Sequence, residues 1–481
     1  MKNNYIKNFL TIGLGTAISM IIGFLTTPII TRIVGTTTYG QYSIFIMYVN
    51  IGVMILCMGL DQGIMRFYFK DDSLEYKKLL IRACCIIPII ATILITFLVL
   101  ILSYSNIIKF EFNTKIILLL GFCILLQIIY RLNMVQLRVA YKTKNYATLN
   151  IIQRIIYVVL TVLMIVTIKT SHFQSLVIAT IISYFIVVII GIYYQRNEWK
   201  FWNINYDKKF DYKELYKYSL PFIISMGITT IFQAIDKISL KFYCDYSEVG
   251  IYSSALNIIH IFSIVQTTFN ALWSPMANEH HQKDPNDTEF YKKGNRIITV
   301  IMFIIGITLI LFRNIIVLLL GNSYREAANI LPFLIFNPIM YTISETTISG
   351  LTFKKKSNMH ILIAAIACIC NIIGNIILIP KIGSKGAAIS TGISYIIFFT
   401  ARTIIANKYY RINWDYKKIY TTILITAIYA LYNTFYSNSI IIITSYIIII
   451  CIIIMLYKDT IKEVVNYLKK DNIKIKRRRK K

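Results

Sequence analysis

Acidic side chains are scarce in this sequence. Asp and Glu number 22 against 51 Lys and Arg, and charged residues of both signs make up 15% of the 481 residues. A soluble domain carries about 25%, so a water-facing surface of ordinary extent is excluded for most of the chain. The 8 cysteines do not group. Cys57, Cys84, Cys85, Cys123, Cys368, Cys370 and Cys451 sit in apolar stretches, and Cys244 stands alone in a predicted loop. With no CxxC and no Cys/His ligand spacing, they act as small apolar residues. Glu279-His280-His281 lacks a further ligand at useful spacing, so no metal site is expected. Walker A, HExxH and GxSxG patterns are also missing. No cofactor and no enzymatic constellation is expected.

What the sequence does hold is apolar residues, 57% of the total, in blocks of roughly twenty separated by short polar clusters. That length crosses the hydrocarbon core as a helix, the spanning form that pairs its own backbone groups within one segment. The blocks lack the alternation of membrane strands. The fold class expected is an all-α polytopic membrane protein of about fourteen transmembrane helices. The spans fall at 9–31, 41–63, 80–103, 114–137, 148–168, 173–194, 216–235, 249–272, 297–319, 327–350, 359–379, 385–406, 417–436 and 439–457. The first continues well past any signal-peptide core and reads as an uncleaved span.

Lys and Arg concentrate in the segments that are cytoplasmic if both termini are, as the positive-inside bias requires. The tail KKDNIKIKRRRKK, Lys469 to Lys481, suits anionic lipid headgroups. Topology accounts for most of the net charge of +29, so no nucleic-acid partner is expected.

One short pattern occurs twice. Gly40-Gln41-Tyr42-Ser43 opens the second span and Gly250-Ile251-Tyr252-Ser253 opens the eighth. The even number of spans between them gives both copies one orientation, as in parallel repeats related by an axis along the membrane normal. The predicted organisation is an N-terminal bundle over 1–200, a C-terminal bundle over 201–406, two accessory spans over 407–457 and the basic tail over 458–481, with a central cavity between the repeats. Gly15, Ser19 and Gly23 share one face of the first span, a spacing that lets helices approach closely. Pro28, Pro88, Pro221, Pro332 and Pro338 interrupt spans.

Several segments carry a family resemblance. TRIVGTTTYGQYSIF followed by GLDQGIMRFYF, then Gln136 to Ile155, Ser219 to Ile258 and Asn375 to Tyr395, together resemble the Wzx-type oligosaccharide flippases. These belong to the multidrug/oligosaccharidyl-lipid/polysaccharide exporter superfamily. The resemblance runs over roughly residues 5 to 455 and rests on order and spacing rather than on one motif. It implies alternating access in a bacterial cytoplasmic membrane. The implied substrate is an undecaprenyl-diphosphate-linked oligosaccharide moved from the inner to the outer leaflet, with a polysaccharide polymerase as a further expected partner.

Such a substrate needs cations along its path. A charge within a span costs about 2.5–3.5 kcal/mol on insertion scales, and Arg grips phosphate through two parallel hydrogen bonds. Arg66, Arg131 and Arg154 are the expected diphosphate contacts, with snorkelling to the headgroups as their alternative use. Lys217 and Arg402 are expected to snorkel. His260, Gln127, Gln266, Asn371 and Asn375 are the expected polar cavity groups, with helix–helix adhesion as their alternative use. Asp61, Asp236 and Glu345 are candidates for ion or proton coupling, Asp236 having Lys237 beside it and Glu345 requiring a partner from another helix. Two other functions fit parts of the pattern. A multidrug or metabolite antiporter would favour acids in its cavity, and a membrane-embedded polymerase or acyltransferase would need a catalytic set that the sequence does not display.

Overall fold

In the computed structural model, residues 2–105, 111–167, 172–201, 204, 210–356, 358–463 and 466 are described. The basic tail expected to meet lipid headgroups lies outside them. Every regular element among the described residues is helical. Among the described residues, eleven helices are long and apolar enough to cross a membrane, and the apolar segment Ile18–Ile33 is shorter. The chain is thus an all-helical, multi-pass membrane protein. The count of fourteen remains an expectation of the sequence. The chain divides into two compact units, Met1–Ser253 and Ser254–Lys481.

The first unit contains α1 (Lys2–Ile33), α2 (Thr36–Leu56), α3 (Leu60–Phe67), α4 (Leu74–Tyr104), α5 (Thr114–Val139), α6 (Thr143–Thr167), α7 (His172–Tyr194), α8 (Tyr212–Ser219), α9 (Pro221–Tyr243) and the start of α10 (Tyr246–Ile259). Polar residues set the helix starts. The Ser73 side chain accepts from the Tyr76 N–H at 3.3 Å and Asn113 accepts from the Ile116 N–H at 3.0 Å, each satisfying an end-of-helix donor. Small residues bring helices together where lipid supplies no hydrophobic drive. A Cβ on Gly15 would overlap the Ala147 Cβ and one on Gly23 would meet the Arg154 guanidinium, so the small face of α1 lies against α6.

The second expected span, 41–63, is broken. The chain leaves α2 through two consecutive left-handed residues, Met58 (φ 53°) and Gly59 (φ 66°), and resumes as α3. Gly59 has a second constraint. A Cβ there would overlap the Ser219 carbonyl oxygen, and one on Gly63 would lie 2.6 Å from the Ser219 hydroxyl. Glycine therefore seats α3 against the junction of α8 and α9 and fixes where Asp61 points.

The two copies of the repeated pattern touch each other. Thr36 Oγ1 and Ser247 Oγ are 2.6 Å apart, and Ser43 Oγ and Ser253 Oγ 2.7 Å. Between these pairs, a Cβ on Gly40 would overlap the Tyr246 carbonyl oxygen and one on Gly250 would overlap the Thr36 carbonyl oxygen. Each copy offers the other the same glycine and the same serine. The contact is backbone against backbone, edged by hydroxyls.

The second unit holds the rest of α10, a 3-10 turn at His260–Phe262, α11 (Ser263–Lys283), α12 (Glu289–Leu311), α13 (Arg313–Val317), α14 (Ala327–Leu334), α15 (Phe336–Thr347), α16 (Ser349–Phe353), α17 (Asn358–Tyr409), α18 (Tyr416–Phe435) and α19 (Ser439–Leu456). The expected spans 297–319 and 327–350 are each split into shorter helices. In the second, Pro332 and Pro338 withhold backbone donors on either side of the break near Ile335. α17 folds back on itself at Ile382 and Gly383, whose φ of 54° is readily reached by glycine.

Polar contacts knit this unit. Asn295 donates to Thr346 at 2.8 Å, and Thr347 and Thr403 hydroxyls lie 2.9 Å apart. Arg313, 1% exposed, donates to Asn433 and to the Ile310 and Tyr436 carbonyls, capping the ends of α12 and α18. Arg402 does not snorkel. Its buried guanidinium binds Glu345 at 2.8 Å and lies 5.4 Å from the Tyr341 ring centre and 5.5 Å from that of Phe398. At the other end of α12, Trp273 stacks with Phe269 and Phe290, and His281 stacks on Phe353 at 3.7 Å. Beside them burial would raise the Asp415 carboxyl pKa, but Arg296 and Lys292 hold it below the usual range.

Two predictions follow from this packing. Gly40→Val lowers the melting temperature of the purified protein by the equivalent of about 1–3 kcal/mol of overpacking; Gly13→Val, where a Cβ has nothing within 4 Å, leaves it unchanged. Removing one partner of the Arg402–Glu345 pair strands a buried charge and costs about 3–5 kcal/mol. Thermal unfolding should therefore show Arg402→Met and Glu345→Gln each more destabilised alone than combined.

Candidate functional site

The first unit bears an open cavity of about 660 Å³, within the roughly 300–1,000 Å³ span of small-ligand sites. Five helices line it. α5 contributes Gln127, Arg131, Met134 and Arg138, a stripe at helical spacing along one face. α6 contributes Tyr146 and Asn150, and α7 contributes Tyr184. α9 adds Ser225, Met226, Thr229, Thr230 and Gln233, and α2 adds Asn50 and Met54. The wall is therefore cationic along α5, aromatic and amide-bearing along α6 and α7, and hydroxyl- and thioether-bearing along α9. No Asp or Glu is among the described residues that line it.

Arg131 is the best-held cation. Its Nε and Nη2 donate to Asp61 Oδ2 at 3.0 and 2.8 Å. Asp61 lies behind it with its side chain 3% exposed, while the Arg131 side chain is 36% exposed toward the cavity. Gln62 Nε2 donates to the same oxygen at 3.0 Å, and Oδ1 is buried with no hydrogen-bond partner among the described residues. Arg138 is freer: among the described residues its hydrogen-bond partner is the Met65 sulfur at 3.2 Å. From α5 as well, the Tyr130 hydroxyl donates to Asn150 Oδ1 on α6 at 2.9 Å, fixing the amide that borders the cavity.

The expected site residues do not all converge here. Gln127 and Arg131 line the cavity. Arg154 lies two turns beyond Tyr146 on the same face of α6, exposed, and interacts electrostatically with the Tyr130 and Tyr184 phenols, but it is not among the lining residues. Arg66 is exposed in the last turn of α3 and does not line the cavity. Asp61 is the ion-pair partner of Arg131. Asp236 is buried at the foot of α10, where Tyr252 donates to it at 2.6 Å.

The remaining expected groups belong to the second unit. Asn371 and Asn375 are fully buried, bonded to each other at 3.2 Å, and Asn371 also donates to Thr391 at 3.3 Å. They join the two limbs of α17, the adhesion that was the alternative to sugar contact. Glu345 is taken by Arg402. His260 sits exposed in the 3-10 turn, and Gln266 is half-buried on α11. Among the lining residues, sequence reasoning missed Tyr146, Asn150 and Tyr184, and the cation Arg138. The signal for Arg138 was its spacing, seven residues and two turns after Arg131 on the same helix face.

Comparison with known proteins gives this arrangement a context. A family model described as polysaccharide biosynthesis protein matches residues 5–281. Among curated proteins, an uncharacterized membrane protein of Methanocaldococcus jannaschii is 26% identical over 200 residues, 41% of this chain and 39% of the relative. The capsular polysaccharide biosynthesis protein CapF of Staphylococcus aureus is 24% identical over 191 residues, 39% of this chain and 48% of the relative. The chain thus spans less than half the length of either relative. Among solved structures, the lipid II flippase MurJ in an inward closed conformation aligns over 94% of this chain and all of its own, with a TM-score of 0.63 and 16% identity. An outward-facing multidrug resistance MATE transporter of the MOP superfamily aligns over 84% and 95%, with a TM-score of 0.56 and 12% identity. These last two likenesses establish the fold. The family match covers every helix that builds the cavity, and the chain belongs to the polysaccharide biosynthesis protein family.

Proposed function

We propose that this protein moves an undecaprenyl-diphosphate-linked oligosaccharide from the inner to the outer leaflet of a bacterial cytoplasmic membrane, for polysaccharide assembly. The observation that carries the reading is the cavity wall. Arg131 and Arg138 stand two turns apart on α5, a spacing of about 10 Å, beside tyrosines and amides and with no acid among the described lining residues. Guanidinium groups suit a diphosphate. Amides, hydroxyls and tyrosine faces suit the sugars next to it. The family and the MurJ-like fold support the same reading.

A multidrug exporter would be served by cavity acids. The nearest carboxylate, Asp61, is buried and already neutralised by Arg131, which favours an anionic cargo. In our reading both termini are cytoplasmic, the basic tail meets anionic headgroups and a polysaccharide polymerase consumes the product. Alternating access requires an outer seam that can part. The Gly40–Gly250 contact, held by hydroxyl pairs rather than by an ion pair, suits that role. No catalytic step is needed.

The test compares arginines inside and outside the cavity. Arg131→Gln and Arg138→Gln should each cut surface glycan about tenfold or more, the loss expected when a charge-assisted bond is removed, with lipid-linked oligosaccharide accumulating on the inner leaflet. Arg66→Gln should leave export unchanged. Normal glycan in both cavity variants at normal protein levels would contradict the reading.

A further inference from the structure

We propose that Asp61 is an internal anion that competes with the substrate's phosphate for Arg131, keeping the cavity able to unload. The inference rests on the diphosphate reading above. A carrier site must bind firmly enough to load and weakly enough to release. Two unopposed guanidiniums would hold a diphosphate tightly, and the structure opposes one of them.

The geometry of the pair is that of a grip that can be exchanged. The strongest Arg–carboxylate pairs use two parallel bonds, one to each oxygen. Here both Arg131 donors converge on Oδ2, Gln62 shares that oxygen, and Oδ1 is buried with no bond to the described residues. Arg131 Nη1 makes no hydrogen bond to the described residues, and the side chain faces the cavity. A phosphate arriving there can offer Arg131 the parallel fork that Asp61 does not. Asp61 cannot follow a swinging guanidinium, because α3 is seated on the α8–α9 junction through Gly59 and Gly63. The carboxylate therefore waits in place and reclaims Arg131 when the phosphate leaves. Arg138 has no such opponent among the described residues, so the diphosphate engages Arg138 first and shares Arg131 with Asp61.

The test is binding of undecaprenyl diphosphate to the purified full-length protein in detergent. Asp61→Asn should bind it about tenfold more tightly than wild type, the scale of one charge-assisted hydrogen bond. The gain should vanish in an Arg131→Gln background, because competition acts through Arg131; a gain that persists there reports only the added net charge. Unchanged or weaker binding by Asp61→Asn, or a gain independent of Arg131, overturns the proposal. If Asp61→Asn does not fold, Gln62→Ala decides. Removing the neutral donor leaves Asp61 more firmly on Arg131, so binding should weaken, and unchanged or tighter binding overturns competition. Failure of the wild-type protein to bind the lipid would instead overturn the diphosphate reading itself, and this inference with it.

Discussion

A cation in a membrane span has to be answered by something, and in the first unit Arg131 is answered by Asp61. The pair explains several features together. It keeps a guanidinium at the cavity wall where an isolated charge would be costly to insert. It requires α3 to exist as a separate short helix, because Asp61 reaches α5 only after the chain has turned through Met58 and Gly59. It requires glycine at 59 and 63, since side chains there would push α3 away from the α8–α9 junction. Sequence, backbone break, packing and site are links of one chain of cause.

The second unit answers its buried charges differently. Arg402 is sealed between Glu345, Tyr341 and Phe398, and Arg313 caps two helix ends. Neither guanidinium lines the cavity of the first unit. Solvent access separates the two kinds of pair: the Arg402 side chain is 5% exposed and that of Arg131 36%.

Much of this was legible in the sequence. Block length and composition gave the all-helical membrane class, because a backbone in lipid has few options. The two copies of the repeated Gly-x-Tyr-Ser lie inside α2 and α10 and pack on each other through their glycines and serines. Arg131 and Gln127 fell on the cavity because both lie on one face of α5. Other features were hidden for physical reasons. The break after Cys57 depends on Ser219, a residue far along the chain. Glu345 and Arg402 are 57 residues apart and meet only when α15 packs on α17. Asn371 and Asn375 carry the same chemistry whether they face a sugar or a neighbouring helix, and only packing distinguished the two. Arg138 was missed because the expected span 114–137 stops one residue short of it, while the helix runs on to Val139.

The central claim is that the cationic wall of the first unit receives a diphosphate. Its most direct measurement is a structure of the protein with a lipid-linked oligosaccharide bound. The account predicts phosphate oxygens within hydrogen-bond distance of the Arg138 and Arg131 guanidiniums, with sugars against Tyr146, Asn150 and Tyr184. A headgroup bound elsewhere, with this cavity empty or filled by lipid tail, would contradict it.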